Sequence, residues 1–224
     1  MQVTTARFAP AAIAGVHLFT TPQFARTAVA GLLAAAFVLA TAPFALAASA
    51  GPQPASTGAP ALGAEAPEAN CTSCHTSFPL NPDTDGAVTI DGVPERYEPG
   101  RAYTLTVRVS HKDSAAMRWG FQLTAVAMKD GAGAGEFIAT DTTTTLVLSA
   151  MSGTRSYVQH AYGGTAIGQP GGNAWTFEWK APANDVGKIG FFAAGNVSNA
   201  DGSNQGDRVY SPSPLPIAES IGTP

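Results

Sequence analysis

Both cysteines of this chain, Cys71 and Cys74, lie in one five-residue segment, CTSCH, which ends at His75. Two thiols on one turn can form thioether bonds to the two vinyl groups of a haem, and the adjacent imidazole then lies beneath the iron as its proximal ligand. The segment therefore predicts covalent attachment of one haem c, with Cys71, Cys74 and His75 holding the cofactor.

Two other interpretations of the segment stay open. The cysteines could form a Cys71–Cys74 disulfide or act as a redox dithiol. A thioredoxin-type dithiol needs a helix N-terminus to lower its thiol pKa, and the Pro- and Gly-rich flanks do not predict one. A structural zinc site would need four ligands, and the chain has no second cysteine pair.

A sixth ligand for the iron has to come from elsewhere in the chain. His160 is the first choice, because it closes a predicted strand and enters a Gly-rich loop that leaves room for a flat macrocycle. His111 precedes Lys112 and Asp113 in a predicted polar turn, which favours a solvated side chain. The other candidates are Met117, Met128 and Met151. We therefore predict iron ligation by His75 and His160.

Residues 1–47 have the pattern of an export signal. They contain Arg7 and Arg26 and no acidic residue. Residues 27–39 (TAVAGLLAAAFVL) are an apolar run, shorter than the ~20 residues that a membrane helix needs. The small-residue motif ALA predicts cleavage after Ala47, or three residues later, with an uncleaved anchor as the alternative. We expect an exported protein, periplasmic or secreted, with no stable membrane span after cleavage.

The composition narrows the class of partner. The chain has 12 Lys and Arg against 16 Asp and Glu, a formal charge of −4, and no basic patch, so nucleic acid is not an expected partner. Only 12% of residues are charged, while 24 Gly and 17 Pro favour a turn-rich domain over a helical bundle.

From residue 86 onward the pattern is that of short strands separated by turns. Residues 102–110 (AYTLTVRVS) alternate as a half-buried antiparallel strand does. Residues 118–128 (RWGFQLTAVAM) are more continuously apolar, as in a central strand covered on both sides. Because no segment of helical period separates the strands, an all-β sandwich is predicted. Further strands are expected at 87–91, 144–150, 155–160, 174–180, 188–195 and 207–211.

The chain is thus expected to have five parts. They are a signal peptide (1–47), a disordered Ala/Pro/Gly linker (48–70), the CTSCH segment (71–85), the β-sandwich (86–211) and a Pro-rich tail (212–224). The large side chains of the core are expected to be Trp119, Phe121, Tyr157, Trp175, Phe177, Trp179, Phe191 and Phe192.

Several short motifs follow one another in the predicted sandwich. They are WGFQLTA (119–125), YVQH (157–160), WTFEWKAP (175–182), FFAAGN (191–196), and DG (201–202) with GDRVY (206–210). Together they resemble the reeler (reelin) domain, and its bacterial choice-of-anchor V version most, over residues 71–210. The resemblance implies an immunoglobulin-like β-sandwich that acts as an extracellular module without enzymatic activity. Several bacterial members carry a CxxCH just before the domain, as this chain does.

The loop at residues 196–207 (NVSNADGSNQGD) allows two interpretations. Asp201 and Asp207 could belong to a calcium loop, but Ser and Gln stand where a tight loop has carboxylates. Asx-type turns that join two strands are the favoured interpretation.

Two functional classes follow from these features. The first is a monohaem electron-transfer protein of the cell envelope, which exchanges electrons with a redox partner protein. The second is an extracellular binding module in which a Cys71–Cys74 disulfide closes the entry to the domain and the ligand is extracellular. Neither is an enzyme, and the sequence shows no Ser-His-Asp order, HExxH or phosphate-binding loop.

Overall fold

The computed structural model describes residues 49–150 and 153–221, and the predicted export signal lies outside them. Two 3₁₀ turns span Cys71–Ser73 and Tyr162–Gly164. In the described part of the chain, no helix has the length and apolar character needed to cross a membrane. The strands are β1 (Gly86–Asp91), β2 (Arg96–Tyr97), β3 (Ala102–His111), β4 (Arg118–Ala127), β5 (Glu136–Ile138), β6 (Thr145–Ser149), β7 (Ser156–His160), β8 (Gly172–Lys180), β9 (Ile189–Ser198), β10 (Arg208–Tyr210) and β11 (Ile217–Ser220).

These strands form two sheets. The first has the order β1-β3-β8-β5, and the second has the order β2-β11-β9-β4-β7-β6, with β10 also paired to β9. The long pairs are antiparallel: β3 aligns Leu105 with Phe177 of β8, and β4 aligns Gly120 with Asn196 of β9. Only the short β2–β11 pair, among the described strands, is parallel. The predicted all-β, immunoglobulin-like sandwich is confirmed.

Aromatic side chains fill the space between the two sheets. Alternation along β8 buries Trp175, Phe177 and Trp179, each at most 2% exposed. Phe121 of β4 packs on Trp175 with 4.7 Å between ring centroids, so the two sheets meet through these rings. The predicted core aromatics are buried, apart from Phe192, which is half-buried because it follows a core residue and lies on the other face of β9.

Strand β4 is buried on both of its faces, as predicted from its continuous apolar sequence. One face belongs to the core between the sheets. On the other face, the side-chain amide of Gln122 donates to the carbonyl of Gln53 at 3.0 Å and accepts the N–H of Ser56 at 2.7 Å. The face of β4 that points away from the core is therefore covered by residues that precede the CTSCH segment.

Residues 49–70, which we call the N-terminal arm, are ordered, and the expectation of a disordered linker is wrong. Thr57 pairs with Asn70 across an isolated bridge, and Ala59 is fully buried. The composition of the arm indicates that it cannot form a core of its own. The arm is instead held by polar contacts with the second sheet, which the composition does not report.

A buried ion pair is one of these contacts. Arg155 Nη1 donates to Glu68 Oε1 at 2.9 Å, and the two side chains are 2% and 4% exposed. Tyr157 donates its hydroxyl to the same carboxylate oxygen at 2.8 Å, and the hydroxyl of Thr57 donates to the other oxygen. Burial, and then the hydrogen bond to Glu68, raise the pKa of Tyr157. Glu68 thus joins the arm to β7 and to the residue before it.

The sandwich also extends beyond its expected end at residue 211. Strand β11 pairs with β9 and β2, and its Ala218 is fully buried, so the expected Pro-rich tail is part of the second sheet. Strands β2, β5 and β11, which have four residues or fewer, were not predicted, whereas the equally short β10 was. Such strands form through pairing with a neighbour, and their own sequence is too short to show a period.

Replacing Glu68 with Ala is expected to lower the free energy of unfolding by about 3–5 kcal/mol, because the buried Arg155 guanidinium would lose the carboxylate that balances its charge. The control is Glu98→Ala, which removes an exposed pair with Arg101 whose side chains are 51% and 57% exposed. Loss of that pair should cost about 1 kcal/mol or less. Urea unfolding followed by tryptophan fluorescence measures both, and equal losses in the two variants would contradict the assignment.

Candidate functional site

The CTSCH segment forms a single capped turn. The side chain of Asn70 accepts the N–H of Thr72 at 2.8 Å. The carbonyl of Cys71 accepts the N–H groups of Cys74 at 3.2 Å and His75 at 2.9 Å. Cys71 is half-buried and Cys74 is exposed.

His75 is held by a buried carboxylate. Its Nδ1 lies 2.7 Å from Oδ2 of Asp207, whose side chain is fully buried while that of His75 is 15% exposed. The side-chain amide of Asn196 and the backbone N–H of Asn199 also donate to this carboxylate, at 3.4 Å and 3.3 Å. Because Nδ1 is engaged, Nε2 is the nitrogen of His75 that remains for a metal.

The loop that joins β9 to β10 packs against the CTSCH turn. The side-chain amide of Asn204 donates to the carbonyl of Cys74 at 2.6 Å. Within the loop, Asp201 accepts the N–H of Ser203 at 2.8 Å and so closes an Asx turn. The loop thus contains the Asx turns favoured from its sequence, and the carboxylate of Asp207 is bonded to His75.

His160, the last residue of β7, lies against β4 and is 7% exposed. Its Nδ1 is 3.0 Å from the backbone nitrogen and 3.1 Å from the carbonyl oxygen of Phe121. Burial lowers the pKa of His160, and the nearby charge of Arg118 acts in the same direction. The imidazole is therefore neutral at pH 7, which is the form that binds metals, and Nε2 is the nitrogen not used by Phe121.

Gly120 provides the space for this imidazole. A Cβ atom at Gly120 would lie 2.7 Å from Cε1 of His160, closer than two non-bonded carbons approach. Gly120 is also paired with Asn196 of β9, which donates to Asp207. Gly120 therefore lies against His160 and is paired with the strand residue that holds the Asp207 carboxylate beside His75.

The four site residues predicted from the sequence, Cys71, Cys74, His75 and His160, line one cavity of about 440 Å³. Further walls come from Gly120 and from the N-terminal arm. The volume lies within the range of about 300–1,000 Å³ that is usual for cofactor pockets. The fold therefore brings together a cysteine pair and two histidines that are far apart in the sequence.

The alternative ligand His111 does not line this cavity. Its side chain was expected to be solvated, and this expectation is wrong. It is 4% exposed, and its ring packs on that of Tyr210 at 5.9 Å between centroids. The reason is that His111 pairs with Gly86 at the end of β3 and so stays inside the sandwich. Met117 and Met128 are also absent from the described lining of the cavity, and Met151 lies outside the described residues.

The sequence did not indicate three parts of this site. The N-terminal arm and Arg118 line the cavity without having been named as candidates. The sequence suggested only a calcium role for Asp207. The residues next to Asp207 in the sequence do not indicate its contact with His75. That contact spans more than a hundred residues and depends on the pairing of β9 with β10, so no local pattern could have revealed it.

The thiol of Cys71 is not in the environment of a reactive cysteine. Burial raises the pKa of the Cys71 thiol to about 12, whereas a catalytic thiol needs a lowered pKa to supply thiolate at neutral pH.

Across the described residues, no group of three or more His, Cys, Asp or Glu side chains is placed to hold a metal ion.

Comparisons with known proteins give only distant structural neighbours. No protein-family description matches this sequence, and no curated protein matches it. The Reelin-N domain of F-spondin is similar at a TM-score of 0.43 and 19% identity, covering 67% of this chain and 97% of that chain. The human F-spondin reeler domain has a TM-score of 0.41 at 21% identity, covering 61% and 89%.

An uncharacterised protein from Nocardia farcinica with an immunoglobulin-like fold has a TM-score of 0.38 at 15% identity, covering 61% of this chain and 98% of that chain. Reeler domains, which the sequence motifs resemble, are thus among the similar solved structures. The fold assignment itself comes from the strand pairing described above.

In haem-free protein, the buried His160 should make stability depend on pH. Its pKa in the folded state is lowered below the unfolded value near 6.5. Its contribution to stability is therefore complete above that pH and is lost as the pH falls towards the folded pKa. Urea unfolding between pH 7.5 and 5 measures this effect. The free energy of unfolding of the wild-type protein should fall with decreasing pH more steeply than that of His160→Gln, by up to about 1.4 kcal/mol per pH unit. Parallel slopes in the two proteins would contradict a buried neutral imidazole.

Proposed function

We propose that this chain is an exported, reeler-like β-sandwich protein that carries one covalently attached haem c and transfers electrons. The observation that carries the proposal is the cavity of about 440 Å³ in which Cys71, Cys74, His75 and His160 meet. The sequence predicts His160 as the sixth ligand of this haem from its position at a strand end before a Gly-rich loop. The meeting of the CTSCH motif and His160 in one cavity is what a c-type haem site requires.

The donor groups suit this cofactor. Cys71 and Cys74 would each add a thiol across a vinyl group, so that a carbon–sulfur bond forms and the thiol hydrogen moves to the other vinyl carbon. His75 has Nδ1 bonded to Asp207 at 2.7 Å, which fixes the ring and leaves Nε2 for the iron. The bound haem would supply a one-electron couple, and the polypeptide would supply its ligands and surroundings.

His160 is the second residue that would bind the iron. It is neutral because burial lowers its pKa, and with Nε2 on the iron its Nδ1–H would donate to the Phe121 carbonyl at 3.1 Å. A site with two histidine ligands leaves no open position for a substrate, which favours electron transfer over catalysis. It also favours a lower potential than a His/Met site has.

The exposure of the turn indicates how electrons would leave the site. Cys74 is exposed, and its carbonyl accepts a hydrogen bond from the side-chain amide of Asn204 in the neighbouring loop. The proposed attachment site at Cys74 therefore lies at the surface, where a redox partner protein could approach it. We therefore propose a partner protein, and no chemical substrate, as the second participant.

The first test is whether haem is attached. The mature chain should be produced in a host with cytochrome c maturation machinery and stained for haem peroxidase activity on a denaturing gel. Cys71→Ala/Cys74→Ala is the control, since it cannot form thioether bonds. A stained band that disappears in the control supports the proposal. A colourless wild-type band would leave the alternative of an extracellular binding module with a Cys71–Cys74 disulfide.

The second axial ligand can be tested by spectroscopy. His160→Ala should open the sixth position, so that the reduced protein binds carbon monoxide and the low-spin bands are lost. His111→Ala is the control, because His111 does not line the described cavity, and it should keep the low-spin bands. If His160→Ala stays low-spin and refuses carbon monoxide, the distal assignment is wrong.

A further inference from the structure

The contact between His75 and Asp207 assigns a role to a residue outside the haem-binding motif. We propose that Asp207 is a positioning residue that makes His75 a stronger donor to the iron and thereby lowers the reduction potential of the site. This inference rests on the proposed haem. It concerns the potential, which the presence of haem and two histidines does not by itself fix.

The contact is short and sheltered from water. The distance of 2.7 Å between Nδ1 of His75 and Oδ2 of Asp207 lies at the short end for a hydrogen bond to a carboxylate. Asp207 is 1% exposed as a residue, so water does not compete for this carboxylate oxygen. In such surroundings a hydrogen bond and a charge both act more strongly than at the surface.

The carboxylate is also fixed in direction. Asn196, within β9, donates to Oδ2 at 3.4 Å, and the backbone N–H of Asn199 donates to Oδ1 at 3.3 Å. Asp207 itself immediately precedes β10, which pairs with β9. Because two paired strands position the acid and its donors, the carboxylate stays aimed at Nδ1.

A carboxylate fixed beside Nδ1 makes His75 a stronger electron donor to a bound iron. Accepting the Nδ1–H bond fixes the tautomer of His75 and raises the basicity of its Nε2. A more basic nitrogen donor stabilises ferric iron more than ferrous iron, because the ferric ion carries one more positive charge. The nearby negative charge of Asp207 acts in the same sense. Both effects lower the reduction potential.

The chain offers a matched control in the same loop. Asp201 accepts hydrogen bonds from the N–H and the hydroxyl of Ser203, both at 2.8 Å, and is exposed. Its bonds are local and none of those described reaches His75. Asp201→Asn therefore removes one negative charge from the same loop without touching the ligand.

The test is potentiometry of the haem-loaded protein, with haem content checked first by the pyridine haemochrome spectrum. Asp207→Asn should shift the ferric/ferrous equilibrium at least about tenfold towards ferrous iron, which raises the potential by about 59 mV for one electron. Asp201→Asn should leave it unchanged. A haem-loaded, low-spin Asp207→Asn protein with the wild-type potential would overturn the inference, and so would equal shifts in both variants.

A measurement on the wild-type protein keeps the inference testable if Asp207→Asn does not retain haem. In the reduced low-spin form, which is diamagnetic, the Nδ1 proton of His75 should exchange slowly with solvent in NMR spectra. Rapid exchange would contradict a persistent bond to the buried carboxylate. Absence of haem from the wild-type chain is a separate outcome that refutes the proposed function, so the two failures are distinguishable.

Discussion

The buried ion pair between Glu68 and Arg155 is the contact on which the site depends most. It fixes the N-terminal arm on the outer face of the second sheet, and the arm supplies a wall of the cavity. A charge with 2–4% exposure is stable only while it is paired, so the arm and the sheet stabilise one another. The shape of the cavity is thus controlled by a pair of residues that do not line it.

The two histidines are positioned in different ways. His160 lies on a strand, and its orientation follows from β7, from the backbone of Phe121 and from the missing side chain at Gly120. His75 lies on one short turn, which alone would leave it mobile. Asp207 gives that turn a rigid support, because its own donors belong to the β9–β10 region. A binding site needs such support when part of it is built on a loop.

The sequence predicted those features whose signal is local. Alternation located the long strands, and the cysteine spacing with a neighbouring histidine located the CTSCH turn. His160 could be chosen because a strand end and a Gly-rich loop coincide there. The N-terminal arm could not be predicted, because composition describes whether a segment can form its own core and not whether Glu68 meets Arg155. The hydrogen bond between Asp207 and His75 could not be predicted for the same reason, since the two residues are distant in the sequence.

If haem is bound as proposed, the charges of Asp207 and Arg118 would together favour its oxidised state. Ferric iron in a porphyrin dianion carries one net positive charge and ferrous iron carries none, so a fixed negative charge favours the ferric form and a positive charge opposes it. Asp207 is fully buried and lies one imidazole away from the proposed iron. Arg118 is half-buried, with its guanidinium over the ring of Tyr162, which is 68% exposed. Solvent screens the guanidinium more than the carboxylate, so the effect of Asp207 is the larger one.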